Sequence, residues 1–316
     1  MKVVFAGTPD FAVEPLQAII SAGHEVVGVI TQADKPQGRK GILTPPPVKT
    51  KALEYGLPVL QPQKIKEDLQ SVFALGGEVM VTCAYGQILP QALLDGFPKG
   101  VWNIHAGILP FYRGASPIQS SIINGEKETG VTVMQTVLAL DAGDILLESR
   151  TAITPTETYG QLSQRLSTLG AQLIVEGLSA IERGGYTLTK QASEGVGVVR
   201  KIEKEQAHIS FKKTAEEIVN LVRGMNPAPV AYTQVGDLKI NVHLAEKAVL
   251  VGEEISICEK ANYGEVLSDK PKRGLLIKCK DGAIKLTEVQ GAGGKRMKGG
   301  DFLNGRKAQK GQVFEC

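Results

Sequence analysis

No run of apolar residues in this 316-residue chain approaches the roughly 20 needed for a helical membrane span, which excludes that class. Cysteine is scarce. Cys83, Cys258, Cys279 and Cys316 show no paired metal-ligand spacing and read as reduced thiols. A strand-like run opens at Lys2-Val3-Val4-Phe5-Ala6, leaving no room before it for a targeting segment. These features predict a cytoplasmic protein. Internal repeats and low-complexity tracts are lacking. The turn after the first run, Gly7-Thr8-Pro9-Asp10-Phe11, is not Gly-x-Gly-x-x-Gly, so a dinucleotide site has little support. The net charge of +3 says little about partners until its distribution is considered. What is present, 42% apolar and 22% charged residues, is the composition of a soluble chain long enough for two domains.

The first half alternates short apolar runs with helical patterns. Strands are predicted over 3–6, 25–30, 57–60, 78–83 and 101–105, and helices over 9–21, 48–55 and 65–74. This rhythm predicts an α/β fold with a doubly wound, mostly parallel, Rossmann-like sheet, whose ligands bind beyond the carboxyl ends of the strands. Ser116-Pro117 predicts a helix start, and a long helix is predicted over about 158–183, ended by Gly184-Gly185. The catalytic domain is therefore placed at 1–187. Residues 188–206 carry no core period and are expected to be a linker. The second domain, 207–316, opens with a capping box at Thr214 and Glu217 before a helix that stops at Asn226-Pro227-Ala228-Pro229. Short strands over 231–234, 238–242, 254–258, 274–279 and 283–289 predict a small, OB-like β-barrel.

Three residues carry acyl-transfer chemistry. Asn103 and His105 alternate across Ile104, so a strand points both to one face. Asp141, in Leu140-Asp141-Ala142-Gly143-Asp144, follows a second apolar run over 131–140. Two strands ending side by side would join the three. An amide and an imidazolium aimed at a developing oxyanion each lower a barrier by about 3–4 kcal/mol. A carboxylate beside the ring can hold it charged and relay protons, directly or through water. On spacing alone, the same residues equally serve as strand-end and turn-capping groups.

Flanking motifs add to this. Val101-Trp102-Asn103-Ile104-His105-Ala106-Gly107-Ile108-Leu109-Pro110, followed by Arg113-Gly114-Ala115-Ser116-Pro117, resembles the signature of the 10-formyltetrahydrofolate-dependent formyltransferases. Phe5 to Ala12, Thr31 to Pro36, Ala84 to Pro90 and Glu128 to Gln135 are similar to motifs of its tRNA-formylating members, in the same order. So are Asn226-Pro227 and Lys295-Arg296-Met297.

The resemblance implies a donor, 10-formyltetrahydrofolate, an acceptor, methionyl initiator tRNA, and no metal. It implies that Asn103 and His105 stabilise the formyl oxygen and that Asp141, rather than Asp144, positions His105. The loop Gly107, Ile108, Leu109 and Pro110 would carry the folate, with Tyr85 and Gly86 offering main-chain groups and Ile88 and Leu89 apolar walls. The family usually has Ser at 107 and Leu at 108, and often an aromatic where this chain has Ala228.

The basic loop over 34–41, with Arg39 and Lys40, would enter the acceptor stem, since a guanidinium forks onto base edges and phosphates. Lys295, Arg296 and Lys298, with Arg306, Lys307 and Lys310 and with Lys212, Lys213 and Arg223 nearby, would form a second, salt-sensitive RNA surface. A monomer is expected. Two other functions fit the same residues: formylation of a small-molecule amine, and a non-catalytic RNA-binding relative.

Overall fold

The computed structural model describes residues 1–38, 41–305 and 307–315. The chain forms two compact units. The first comprises residues 1–117, 128–152 and 163–199; the second comprises 118–127, 153–162 and 200–316. The segment 188–199, which lacks a core period, thus packs with the first unit, while two inserts of the first half pack with the second.

The first unit is built on a seven-stranded sheet. Its spatial order is Ile145–Ala152, Glu128–Gln135, Val101–His105, Val79–Cys83, Lys2–Gly7, Glu25–Ile30 and Val59–Leu60. The last five are mutually parallel. Lys2–Gly7 and Val79–Cys83 lie side by side at the centre and the chain winds outward from them in both directions, which places a crevice beyond their carboxyl ends. Strand interiors such as Val3, Val4, Phe5, Val79, Met80 and Val81 are fully buried, as expected of a sheet covered on both faces.

One edge departs from the parallel expectation. Glu128–Gln135 runs antiparallel to Val101–His105, with His105 opposite Thr132 and Asn103 opposite Met134. The two strands therefore do not end side by side. Asp141 belongs to the loop after Gln135.

The long helix Tyr159–Arg183 lies over this edge. A Cβ on Gly170 would stand 2.9 Å from Ile104 Cγ2, so the missing side chain lets the helix seat on Ile104. Because Ile104 is turned to the helix, Asn103 and His105 are turned to the other face.

In the second unit, Ala231–Val235, Leu238–Lys247, Gly282–Gly291 and Leu275–Cys279 form an antiparallel sheet in that order, with Met297–Lys298 added to Gly282–Gly291. Register shifts beside Val242 and Leu244 curl it toward a barrel. Ile218 and Val222 of the helix Ala215–Gly224 share its core with Phe211, Ile240, Ile277, Leu286, Phe302 and Phe314. The capping box is formed: Thr214 Oγ1 accepts from Glu217 N, and the Glu217 carboxylate accepts from Thr214 N at 2.8 Å.

The strand expected over 254–258 is instead the helix Glu253–Lys260. Alternating apolar residues in Glu-Ile-Ser-Ile-Cys imitate a strand period. The helix wins because Glu253 and Glu254 sit at its amino end and Lys260 at its carboxyl end, where they suit the backbone dipole. Glu254 also accepts from Val251 N and pairs with Arg273 at 2.6 Å.

Candidate active site

Asn103 occupies a strand whose neighbour supplies its partner. In the parallel register Thr82 lies opposite Asn103, and the Thr82 hydroxyl donates to Asn103 Oδ1 at 2.9 Å. That bond orients the amide. Its Nδ2 donor has no protein partner among the described residues and faces the same side as His105.

His105 is 5% exposed. Its Nε2 lies 2.7 Å from the Tyr112 carbonyl, which only accepts, so Nε2 carries the proton. Nδ1 faces Asp141 Oδ2 at 3.7 Å, beyond hydrogen-bond range. Burial lowers the imidazole pKa below its ordinary 6.5; the Asp141 charge and the Tyr112 bond oppose that shift without reversing it. The resting ring is therefore neutral at neutral pH, with Nδ1 open as a base. Desolvation outweighs the carboxylate in the resting site, so the Asp141 charge comes into play once the ring takes a proton.

Asp141 sits at φ +47°, in the left-handed region. Its Oδ2 accepts from Gly114 N at 2.7 Å. The turn is closed by Gln135 N donating to the Asp144 carbonyl at 2.9 Å. A Cβ on Gly143 would fall 1.7 Å from the Gln135 carbonyl oxygen, so only glycine permits this turn.

Asn103, His105 and Asp141 thus converge, as do the residues right after them. Gly107, Ile108, Leu109 and Pro110 leave the strand as a buried loop, pinned by Thr132 Oγ1 donating to the Gly107 carbonyl at 2.8 Å. A Cβ at 107 would stand 3.0 Å from Pro117 Cβ and 3.2 Å from His105 Nε2, so the loop passes close against the ring.

The Ala84 to Pro90 segment borders the central crevice. The Tyr85 carbonyl already accepts from Thr8 Oγ1 at 3.0 Å and from Gln32 Nε2 at 3.2 Å. The Tyr85 ring is buried in the core with its hydroxyl unpaired, which pushes its pKa up to about 12. Gly86 takes φ +87°. Leu89 is buried, whereas Ile88 is 86% exposed.

Arg39 and Lys40 lie outside the described residues, as do Arg306 and Cys316. The residues flanking the first pair form a short hairpin, Lys35–Gln37 against Ile42–Thr44. Its base is fixed by Lys49 Nζ, which donates to both Asp34 oxygens at 2.8 and 2.9 Å and to Gln61 Oε1 at 2.7 Å. Lys295, Arg296 and Lys298 are exposed on the second unit, with Glu288 3.6 Å from Arg296.

Arg223 does not join that surface. It is 6% exposed, bonded to Asn220 Oδ1 and to the Thr154 and Glu157 carbonyls. Its amphipathic spacing looks like a solvated position, but its guanidinium satisfies buried carbonyls.

Sequence reading also passed over Thr82, the Tyr112 carbonyl and Gln191. Thr82 is the one polar side chain within Val79–Cys83 able to bond the next strand. The other two have no local signal. Among the described residues, no group of three or more His, Cys, Asp or Glu side chains is placed to hold a metal, and no helix is long and apolar enough to cross a membrane.

An oriented amide donor, a neutral imidazole and a carboxylate at one end of a doubly wound sheet have the chemistry of an acyl-transfer enzyme. Residues 1–178 match the family described as formyl transferase, and 201–307 the formyl transferase C-terminal domain. The methionyl-tRNA formyltransferase of Bacillus subtilis is 42% identical over 99% of this chain and 97% of its own length. That of Bacillus licheniformis is 44% identical over 98% and 96%. The chain belongs to the formyl transferase family, among the methionyl-tRNA formyltransferases.

Two solved structures share the fold at lower identity. An N-formyltransferase from Helicobacter canadensis, in complex with folinic acid and dTDP-3-aminofucose, has a TM-score of 0.68 and 19% identity over 90% of this chain and 98% of that one. HypX from Aquifex aeolicus, in complex with tetrahydrofolic acid, has a TM-score of 0.66 and 17% identity over 96% of this chain but 47% of its own. At these identities the likeness concerns the fold.

Proposed function

We propose that this enzyme transfers the formyl group of 10-formyltetrahydrofolate to the α-amino group of methionine on initiator tRNA, and that Asn103, His105 and Asp141 carry the transfer. The observation that bears most weight is the pairing of an Asn103 amide held by Thr82 with a neutral His105 whose open Nδ1 faces Asp141.

The folate co-substrate supplies the activated formyl carbon and departs as tetrahydrofolate. Asn103 Nδ2 donates to the formyl oxygen as the amine nitrogen bonds to the formyl carbon and negative charge gathers on that oxygen. His105 Nδ1 takes the proton the amine loses, and the Asp141 charge stabilises the imidazolium so formed. As the bond from carbon to the folate nitrogen breaks, His105 returns that proton to the leaving nitrogen. The ring is again neutral, and the proton count balances.

Gly107, Ile108, Leu109 and Pro110 form the folate-bearing loop in this reading, with Gly86, Ile88 and Leu89 on the crevice side. The Tyr85 carbonyl already accepts from Thr8 and Gln32, so it is not the main-chain group offered to the folate. Arg39 and Lys40 contact the acceptor stem in this reading. Lys295, Arg296 and Lys298 contact tRNA phosphates. The acting unit is a single chain in the cytoplasm, where aminoacylated initiator tRNA is found.

The test is a transfer assay with 10-formyltetrahydrofolate and three acceptors: methionyl initiator tRNA, methionyl elongator tRNA and a nucleotide amino sugar. Formyl-methionine on the initiator species is expected. Turnover on the amino sugar with neither tRNA formylated points to the small-amine reaction. Tight tRNA binding without turnover points to a non-catalytic relative.

A further inference from the structure

We propose that Gln191 is a positioning residue that holds Asp141 against His105. This role rests on the active-site reading above and concerns a residue in a stretch without a core period, 188–206.

The side-chain amide of Gln191 is saturated. Nε2 donates to the Asp141 carbonyl at 2.8 Å and to the Gly143 carbonyl at 2.8 Å. Oε1 accepts from Arg113 Nε at 3.0 Å and Nη2 at 2.7 Å, a charge-assisted fork. One amide thus grips both ends of the turn that presents Asp141, and the guanidinium grips the amide.

The circle then closes. Arg113 N and Ala115 N donate to the Gly197 and Val199 carbonyls, each at 2.9 Å, so residues 197–199 fasten the Arg113 segment. Between them Gly114 N donates to Asp141 Oδ2 at 2.7 Å. A Cβ on Gly114 would fall 2.3 Å from the Val199 oxygen, so only glycine allows the two segments to approach this closely. Ile145 and Thr189 exchange backbone hydrogen bonds of 2.8 Å two residues before Gln191, which fixes its approach.

Asp141 needs such a clamp. Its φ of +47° is disfavoured for a residue with a Cβ and persists only where the surroundings over-determine it. No other side chain offers two donors and one acceptor in this arrangement at this length. Glutamate keeps the Arg113 fork but turns an oxygen toward two carbonyls. Alanine keeps neither.

The test uses Gln191→Ala and Gln191→Glu in the full chain, with Asp141→Asn as reference. We expect both Gln191 variants to lower kcat for formyl transfer by about tenfold to a hundredfold, the scale of a small misplacement of a reacting group. KM for tRNA and for 10-formyltetrahydrofolate should stay within about twofold, because no substrate contact is removed. The acid limb of the kcat–pH profile should move to lower pH in both, because the Asp141 charge that supports imidazolium is then less well placed. Wild-type kcat and an unmoved acid limb in both variants would overturn the proposal while leaving the site reading intact. Normal turnover in Gln191→Glu alone would also overturn it, since the Arg113 fork rather than the amide donors would then matter. A drop in rate with an unmoved limb and a lowered unfolding temperature would mark a purely structural residue. Wild-type turnover in Asp141→Asn would instead remove the site reading itself.

Discussion

His105 Nδ1 lies 3.7 Å from Asp141 Oδ2, while the opposite ring nitrogen is held 2.7 Å from the Tyr112 carbonyl. The carbonyl fixes the tautomer, and the gap leaves Nδ1 unoccupied by the carboxylate. A base in this setting takes a proton from an incoming amine and gains its ionic partner only once it is charged. Stabilisation is thereby greater in the transition state than in the resting enzyme, which is the condition for raising kcat.

That geometry sets a pH dependence. Burial holds the His105 pKa below 6.5 in the fold. Between that lowered value and 6.5 the unfolded chain binds a proton that the folded chain does not, so this contribution to stability is complete above about 6.5 and is lost as pH falls through the window. Unfolding temperatures at pH 7.5 and pH 5 should show the decline, and His105→Ala should reduce the difference. The acid limb of kcat should likewise lie below the ordinary imidazole value of 6.5. A limb at or above it would mean that the titrating group is another residue.

Thr82→Val tests the orientation of Asn103. The substitution keeps the shape of a buried position and deletes the hydroxyl that donates at 2.9 Å to Asn103 Oδ1. Loss of about 1–2 kcal/mol of orientation corresponds to roughly a tenfold fall in kcat with little change in KM. Unchanged steady-state kinetics would show that the amide orients itself without Thr82.

Gly143→Ala tests the turn beneath Asp141. A methyl group 1.7 Å from the Gln135 oxygen cannot be accommodated without moving the turn. Destabilisation by about 2 kcal/mol or more is expected in urea unfolding, accompanied by loss of turnover. A variant of native stability and activity would mean that the turn adopts a second conformation at no cost.

Lys298→Ala tests the exposed basic surface. Removing one phosphate contact should weaken initiator and elongator tRNA to the same extent and reduce the slope of log affinity against log salt by about 1. An effect confined to one tRNA would make Lys298 a reader of sequence or shape. No effect on either would leave it a solvated side chain.

Much of this arrangement was legible from residue order. The alternation of Asn103 and His105 about Ile104 sufficed to put both on one face, because a strand has a period of two and the apolar residue must turn to the covering helix. Parallel strands at the centre followed from continuous runs such as Val79-Met80-Val81. The meeting of Asp141 with His105 was expected, but its route was not legible. Strand direction at an edge depends on the connection, and here the intervening chain carries an excursion into the second unit, so Glu128–Gln135 returns antiparallel. The same limit hid Gln191. A residue whose whole role is to bond two distant carbonyls and one guanidinium leaves no periodic trace. Arg223 and the 254–258 stretch misled for the opposite reason: each has a local pattern that its tertiary contacts override.

The most direct measurement is the single-turnover rate of formyl transfer from 10-formyltetrahydrofolate to methionyl initiator tRNA, in the wild-type chain and in His105→Ala. The mechanism predicts rapid formyl-methionine formation by the wild type and a loss of at least about a hundredfold in the variant, with tRNA affinity preserved. A wild-type chain that forms no formyl-methionine, or a variant within about threefold of it, would contradict the assignment of formyl transfer to this site.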